Sequence, residues 1–253
     1  MKTGKKHING KRIILLISVI VFILLIGVIK YLTFSLPANE EALLAMKSTS
    51  EVTVEEIGST IVFTPTKTLP TKGYIYYPGG QVEPESFAYA ASEIAKSGIM
   101  VVIQKMPFNL AMFGYNRGFQ VIDTYESIEQ WYIGGFSLGG VSACMAAFKQ
   151  PEPFRGVILY ASYTTKGYPL TDLNLEVLSL SGSNDGLATK DKIEKAKPYL
   201  PKDTTYLEIE GGNHTQMAIY GGDNLQKGDN KAEISRMEQQ KILIEKTTDF
   251  ILK

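Results

Sequence analysis

Residues 131–148 read WYIGGFSLGGVSACMAAF. Trp131–Phe136 is apolar enough for a buried strand, and Leu138–Phe148 is a run of small residues suited to a helix packed against it. Between them Gly135-Phe136-Ser137-Leu138-Gly139 fits G-x-S-x-G. A chain that passes from strand to helix with no spare residue holds the turn residue in strained backbone, and its neighbours must be small to avoid a clash. The pattern also occurs in plain glycine turns; the strand before it and the helix after it favour an exposed serine nucleophile. The helix N-terminus there favours developing negative charge.

The rest of the chain repeats this alternation. Val52–Ile57 and Ile61–Phe63 read as two strands turning at Gly58-Ser59. Further strands are expected at Gly73–Tyr77, Ile99–Ile103, Gly156–Tyr160, Glu176–Leu180 and Thr204–Ile209. Helices are expected at Pro84–Ser97, Tyr115–Ile128, Thr189–Lys197 and Ala232–Leu252. Apolar strands alternating with helices predict an α/β fold: a mostly parallel sheet with helices on both faces.

The amino-terminal segment differs from all of this. Ile13–Ile29 has 17 residues without a charge, and only Ser18 is polar. A core helix would show a polar face, and this run has none. Continued to Phe34 it is long enough for a bilayer, since Lys30 near its end can snorkel. The chain divides by expectation into a basic cytoplasmic tail (1–12), a transmembrane helix (13–34), a short helical or flexible stalk (35–50) and the main domain (51–253). Five basic residues precede the span, which places the amino terminus in the cytoplasm and the main domain outside it. A cleaved secretory signal is the competing reading, with Thr33-Phe34-Ser35 a weak cleavage candidate; it exports the domain equally.

The chain has equal numbers of basic and acidic residues, 26 of each. The six basic residues up to Lys30 leave the remainder at −6. That balance argues against a nucleic-acid partner. The one cysteine, Cys144, excludes an intramolecular disulfide and a cysteine-cluster metal site, and reads as a buried core residue.

A serine nucleophile needs a base. Of the two histidines, His7 lies in the tail, leaving His214 in Glu210-Gly211-Gly212-Asn213-His214, a loop after a strand. Such loops lie at the carboxyl end of the sheet, where open α/β folds place their ligands. Asp185, in Ser181-Gly182-Ser183-Asn184-Asp185-Gly186, is the candidate to orient the imidazole, though Asn-Asp-Gly also suits a simple turn. Asp172, Asp191, Asp203 and Asp223 lie in less suitable places. An oxyanion needs two N–H donors. One is expected from Leu138, the other from Gly80 or Gln81 in the turn Pro78-Gly79-Gly80-Gln81, and the residues leave that choice open. Tyr163, Phe108, Tyr168 and Met112 stand as candidates for a substrate pocket or as ordinary packing. The loop Gly221–Asn230 lacks calcium-loop spacing and reads as solvated.

Five segments occur in order: Tyr77-Pro78-Gly79-Gly80, Lys105–Leu110 (KMPFNL), Gly135–Gly140 (GFSLGG), Gly182–Gly186 (GSNDG) and Glu210–His214 (EGGNH). Through them the chain, over about residues 55–253, resembles the α/β-hydrolase fold superfamily. It is especially similar to a compact bacterial family (α/β-hydrolase family 5) that is dienelactone-hydrolase-like in general form. The resemblance implies a hydrolase with Ser137 as nucleophile, His214 as base and Asp185 as orienting acid, without metal or organic cofactor. It does not supply a substrate. Pro78 stands where many relatives carry histidine. Only 14 residues, Ser162–Leu175, separate two strands where many members insert a lid, so an open site for small or surface-displayed acyl groups is expected.

The expected activity is cleavage of a carboxylic ester in a small-molecule acyl substrate, by a single-pass esterase of the cell membrane. An amidase or peptidase, or an acyltransferase, would use the same three residues. A non-catalytic cell-envelope binding module is the reading from another class. Because His214 must be neutral to accept a proton, activity is expected to decline in acid.

Overall fold

The computed structural model describes residues 10–222 and 224–253. His7 and the basic residues of positions 2–6 lie outside the described residues, as does Asp223. The chain forms two units, one ending at Phe34 and one spanning Ser35–Lys253.

The first unit is a single helix, α1 (Gly10–Thr33). Within it Ile13–Tyr31 has a mean hydropathy of 3.2, and none of it is buried against protein. At about 1.5 Å per residue the helix is about 36 Å long, enough to cross a hydrocarbon core of about 30 Å. An amino-terminal signal sequence has the same character.

The second unit is built on one eight-stranded sheet. Its strands are β1 (Val52–Ile57), β2 (Thr60–Pro65), β3 (Lys72–Tyr77), β4 (Met100–Gln104), β5 (Gln130–Phe136), β6 (Phe154–Tyr160), β7 (Glu176–Gly182) and β8 (Thr205–Ile209). They lie in the order β1-β2-β4-β3-β5-β6-β7-β8. The β1–β2 and β2–β4 pairs are antiparallel, and every pair from β4 across to β8 is parallel. The fold is thus the α/β-hydrolase fold with a mostly parallel sheet.

Strand periodicity of two explains why both faces are covered. Tyr74, Tyr76, Tyr132 and Tyr160 point to one face, with Phe87 from the turn before helix α3 (Ala88–Ala95), Ile94 of α3, and Leu243 and Phe250 of helix α7 (Arg236–Leu252). Ile75, Tyr77, Ile133 and Leu159 point to the other, with Val121 of α4 (Arg117–Thr124) and Cys144 of α5 (Leu138–Lys149). The parallel registers pair Tyr77 with Gly135 and Phe136 with Tyr160, so the carboxyl ends of β3, β5 and β6 finish side by side. That shared edge positions the site.

Several boundaries differ from the expected ones. The helix expected at 84–97 opens as a 3-10 turn, Pro84–Phe87, before α3. The helix expected at 115–128 shrinks to α4, because the buried Tyr77 hydroxyl donates to the Tyr115 carbonyl at 2.6 Å and accepts the Gly118 N–H at 3.0 Å. The terminal helix starts at Arg236 rather than Ala232. The Ser235 side chain caps it by accepting the Glu238 N–H at 3.2 Å, while Glu233 donates its N–H to Gly211. Helix α6 (Lys190–Ala196) lies within the expected span.

Residues from Ser35 do not stand clear of the body as a free stalk would. Leu36 bridges to Val82 and Ala38 to Tyr220, and helix α2 (Glu40–Leu44) buries Ala42 completely. The Glu83 carboxylate accepts the Ala38 N–H at 3.0 Å, which fixes the entry of the chain. Residues 161–175 contain no helix or strand, so the position of the usual lid is a plain connection.

Candidate active site

Ser137 sits between β5 and α5 with φ 51° and ψ −120°. For a non-glycine residue that conformation costs on the order of 1–3 kcal/mol, and surrounding contacts must hold it. Here the Ser137 N–H donates to the Tyr160 carbonyl at 2.9 Å, and the Ser162 hydroxyl donates to the Ser137 carbonyl at 2.7 Å. The flanking glycines are required by close approach. A Cβ on Gly139 would lie 2.1 Å from the Tyr77 carbonyl oxygen, and one on Gly135 would lie 2.3 Å from the same atom. The turn therefore wedges against the end of β3, which brings Pro78–Gln81 beside Ser137.

His214 follows β8 by a short loop and is buried, with 1% of its surface exposed. Its ring packs on Phe136 at 4.7 Å between centroids. Asp185 follows β7, and its Oδ2 lies 2.9 Å from His214 Nδ1. Asp185 Oδ1 accepts the N–H groups of Leu187 at 2.8 Å and Ala188 at 2.7 Å, so the carboxylate is locked by its own turn. The other imidazole nitrogen, Nε2, is buried and has no hydrogen-bond partner among the described residues. The Ser137 hydroxyl is thus not bonded to it in this state; hydrogen bonds of this kind often tighten only with substrate present.

Ser137 and His214 line one cavity of about 210 Å³, together with Leu138, Val141, Tyr163 and Leu187. Tyr163, a candidate for a substrate pocket, belongs to that lining. Phe108 does not: it is 54% exposed and stacks edge-on with Phe113 at 6.1 Å. Its loop does reach the site by its backbone. Asn109, which like Phe108 has positive φ, accepts the Gln81 N–H at 2.8 Å. That commits the Gln81 amide. Gly80 lies beside Leu138, whose Cδ2 would be 3.1 Å from a Cβ at position 80. Leu138, as the first residue of α5, has no intrahelical acceptor for its N–H.

A family described as "Alpha/beta hydrolase family" matches residues 73–241, which include every residue of this cavity. The chain belongs to the alpha/beta hydrolase family. Solved structures agree in fold. Est1E from Butyrivibrio proteoclasticus, with bound ferulic acid, superposes with a TM-score of 0.57 at 12% identity, covering 81% of this chain and 96% of that one. A predicted CIB-like hydrolase from Thermoplasma acidophilum gives 0.54 at 16% identity, covering 78% and 98%. TT1662 from Thermus thermophilus gives 0.53 at 16% identity, covering 65% and 91%. No curated protein sequence matches this hydrolase.

In this hydrolase no group of three His, Cys, Asp or Glu side chains is placed to hold a metal ion among the described residues. Cys144 lies on α5 with its side chain fully buried, and burial pushes its thiol up to about 12 against the weaker opposing pull of the Thr164 hydroxyl. Burial likewise raises the Tyr220 phenol far above its usual value, with the Asp229 carboxylate adding to the effect. Residues 221–222 and 224–230 are mostly exposed, as a solvated loop requires, while Asp229 ties the segment to the His214 loop. Nothing in their composition signals it, because the contacts join segments that are distant in sequence.

Proposed function

We propose that this hydrolase cleaves a carboxylic ester with a short acyl group, with Ser137 as nucleophile. The observation that carries the reading is a strained serine at a helix N-terminus sharing a cavity with an imidazole whose far nitrogen is held by a buried carboxylate. The Ser137 oxygen attacks the ester carbonyl while His214 Nε2 takes its proton. Asp185 holds the proton on Nδ1 and stabilises the imidazolium. The N–H groups of Leu138 and Gly80 receive the oxyanion, Gly80 being preferred because Gln81 already donates to Asn109. His214 then gives its proton to the leaving alcohol, and water releases the acyl group by the same steps in reverse.

The cavity of about 210 Å³ is smaller than the roughly 300–1,000 Å³ that enclose a larger ligand, which supports a short acyl chain. The ferulic acid bound to Est1E is a carboxylic acid, the product class that ester cleavage releases.

The same reading makes α1 a membrane anchor. Five basic residues before Ile13, against only Lys30 and Lys47 close to the far end of α1, favour a cytoplasmic amino terminus and a catalytic body outside the cytoplasm.

Two measurements test the proposal. A fluorophosphonate probe is expected to label the wild type at Ser137 and to spare Ser137→Ala, with ester turnover lost in parallel. Ester hydrolysis that persists in Ser137→Ala overturns the mechanism, and amide turnover above ester turnover reassigns the substrate. Alkaline extraction is expected to leave the chain in the membrane pellet, with protease added to intact cells removing the body.

A further inference from the structure

Asp229 carries the further inference. Its Oδ1 accepts the N–H groups of Gly186 at 3.0 Å, His214 at 3.3 Å and Asn230 at 2.9 Å. Its Oδ2 accepts the Thr215 N–H at 2.8 Å and the Thr215 hydroxyl at 2.6 Å. One half-buried carboxylate thus gathers donors from the loop that bears Asp185 and from the loop that bears His214. Such bonds to a charged acceptor are shorter and about twice as strong as neutral ones.

The surroundings are built for this approach. A Cβ on Gly186 would lie 2.4 Å from the Gly228 carbonyl oxygen and 2.9 Å from the Asp229 Cα, so the two segments touch backbone to backbone. Asn213 Nδ2 donates to the Asn230 carbonyl at 2.7 Å, and Asn184 Nδ2 to the Lys231 carbonyl at 3.3 Å. The Gln226 N–H donates to the Thr215 hydroxyl at 3.0 Å. Without Asp229, four backbone N–H groups and a hydroxyl would lose their acceptor.

We propose that Asp229 is a positioning residue, which clamps the Asp185 loop to the His214 loop and so sets the approach of the imidazole to Ser137. It touches neither substrate nor reacting atoms. This rests on the mechanism proposed above and deepens it. Asp185 and His214 come from different strands, and catalytic geometry tolerates only about 0.5 Å of looseness.

The test uses the full chain in detergent, with a short-chain ester as substrate. Asp229→Asn keeps the shape but offers one accepting oxygen in place of two. A 1 Å misplacement costs about 100-fold, so kcat is expected to fall by about that factor while KM stays within about twofold. The far-downfield proton resonance of His214 Nδ1–H is expected to broaden by exchange. Thr215→Val removes one donor to Asp229 together with the acceptor of the Gln226 N–H, and is expected to cost about tenfold in kcat, and Thr215→Ser to restore it.

Wild-type kcat in Asp229→Asn overturns the clamp. If that variant does not fold, wild-type kcat in Thr215→Val overturns it. A wild type that neither hydrolyses esters nor labels at Ser137 defeats the mechanism instead. The Nδ1 proton signal then decides the clamp: unchanged in Asp229→Asn, it overturns the clamp as well.

Discussion

Asp185 and His214 meet with Oδ2 2.9 Å from Nδ1, and both side chains are almost wholly withdrawn from water. At such a site the carboxylate fixes which nitrogen of the ring carries the proton. In Asp185→Asn one side-chain oxygen becomes an amide, so the ring can be held in the wrong tautomer. Catalysis is then expected to fall by about 10³–10⁴-fold in kcat with KM little changed. Steady-state ester hydrolysis measures this, and fluorophosphonate labelling of Ser137 should slow in step. Activity within tenfold of the wild type would move the orienting role away from Asp185.

On the proposed mechanism the cavity beside Ser137 sets acyl size. Tyr163 and Leu187 line it without belonging to the proposed catalytic groups. Tyr163→Ala enlarges it, and Leu187→Phe fills it. A methylene in an apolar pocket is worth about 1–3 kcal/mol. Tyr163→Ala is therefore expected to raise the ratio of kcat/KM for hexanoyl over acetyl esters by about tenfold or more. Leu187→Phe should move the ratio the other way. Equal ratios in both variants would place the acyl chain elsewhere, such as along the exposed Phe108–Phe113 loop.

Much of this arrangement is legible locally. The run 131–148 specifies its strand, turn and helix from adjacent residues, because the positive φ at Ser137 arises within the turn itself, and the long-range approach of Tyr77 needs only the glycine already present at 139. Chain order is enough to select Asp185 and His214 as candidates, since the parallel sheet brings the ends of β7 and β8 together. What the sequence does not reveal is set by long-range contact. Residues 35–50 look like a stalk until Leu36 pairs with Val82 and Ala42 is buried. Asp229 reads as one acid of a solvated loop until four donors from the Asp185 and His214 loops surround it. Phe108 is a pocket candidate by residue type, but its ring is exposed, and it is the Asn109 carbonyl of its loop that meets the Gln81 N–H.

The turn itself can be tested for stability. Gly139→Ala would force a methyl to within 2.1 Å of the Tyr77 carbonyl oxygen, and backbone on both sides leaves little room to relax. Overpacking of this kind is expected to cost about 3 kcal/mol in denaturant unfolding. Gly167→Ala meets only the Thr165 hydroxyl at 3.6 Å and should change stability by no more than about 0.5 kcal/mol. Equal stability for the two variants would contradict the wedged turn.

Cys144 gives the pH-dependent prediction. Burial on α5 pushes its thiol up to about 12 in the folded chain. In the unfolded chain a thiol titrates near 8.5. The folded state therefore keeps the proton that the unfolded state loses. The thiol's contribution to stability is fully present below about pH 8.5 and is lost as pH rises toward the folded value. Each pH unit in that window is worth about 1.4 kcal/mol. Between pH 7 and pH 10.5 the wild type should lose about 2–3 kcal/mol more than Cys144→Ala, because the alanine variant retains the tyrosines and lacks only the thiol. Denaturant titrations of both proteins at the two pH values measure the difference. Iodoacetamide at pH 8 should modify Cys144 only as fast as the protein unfolds. Rapid modification of the native protein, or parallel pH profiles for the two proteins, would show that the thiol is solvated and that α5 does not pack as described.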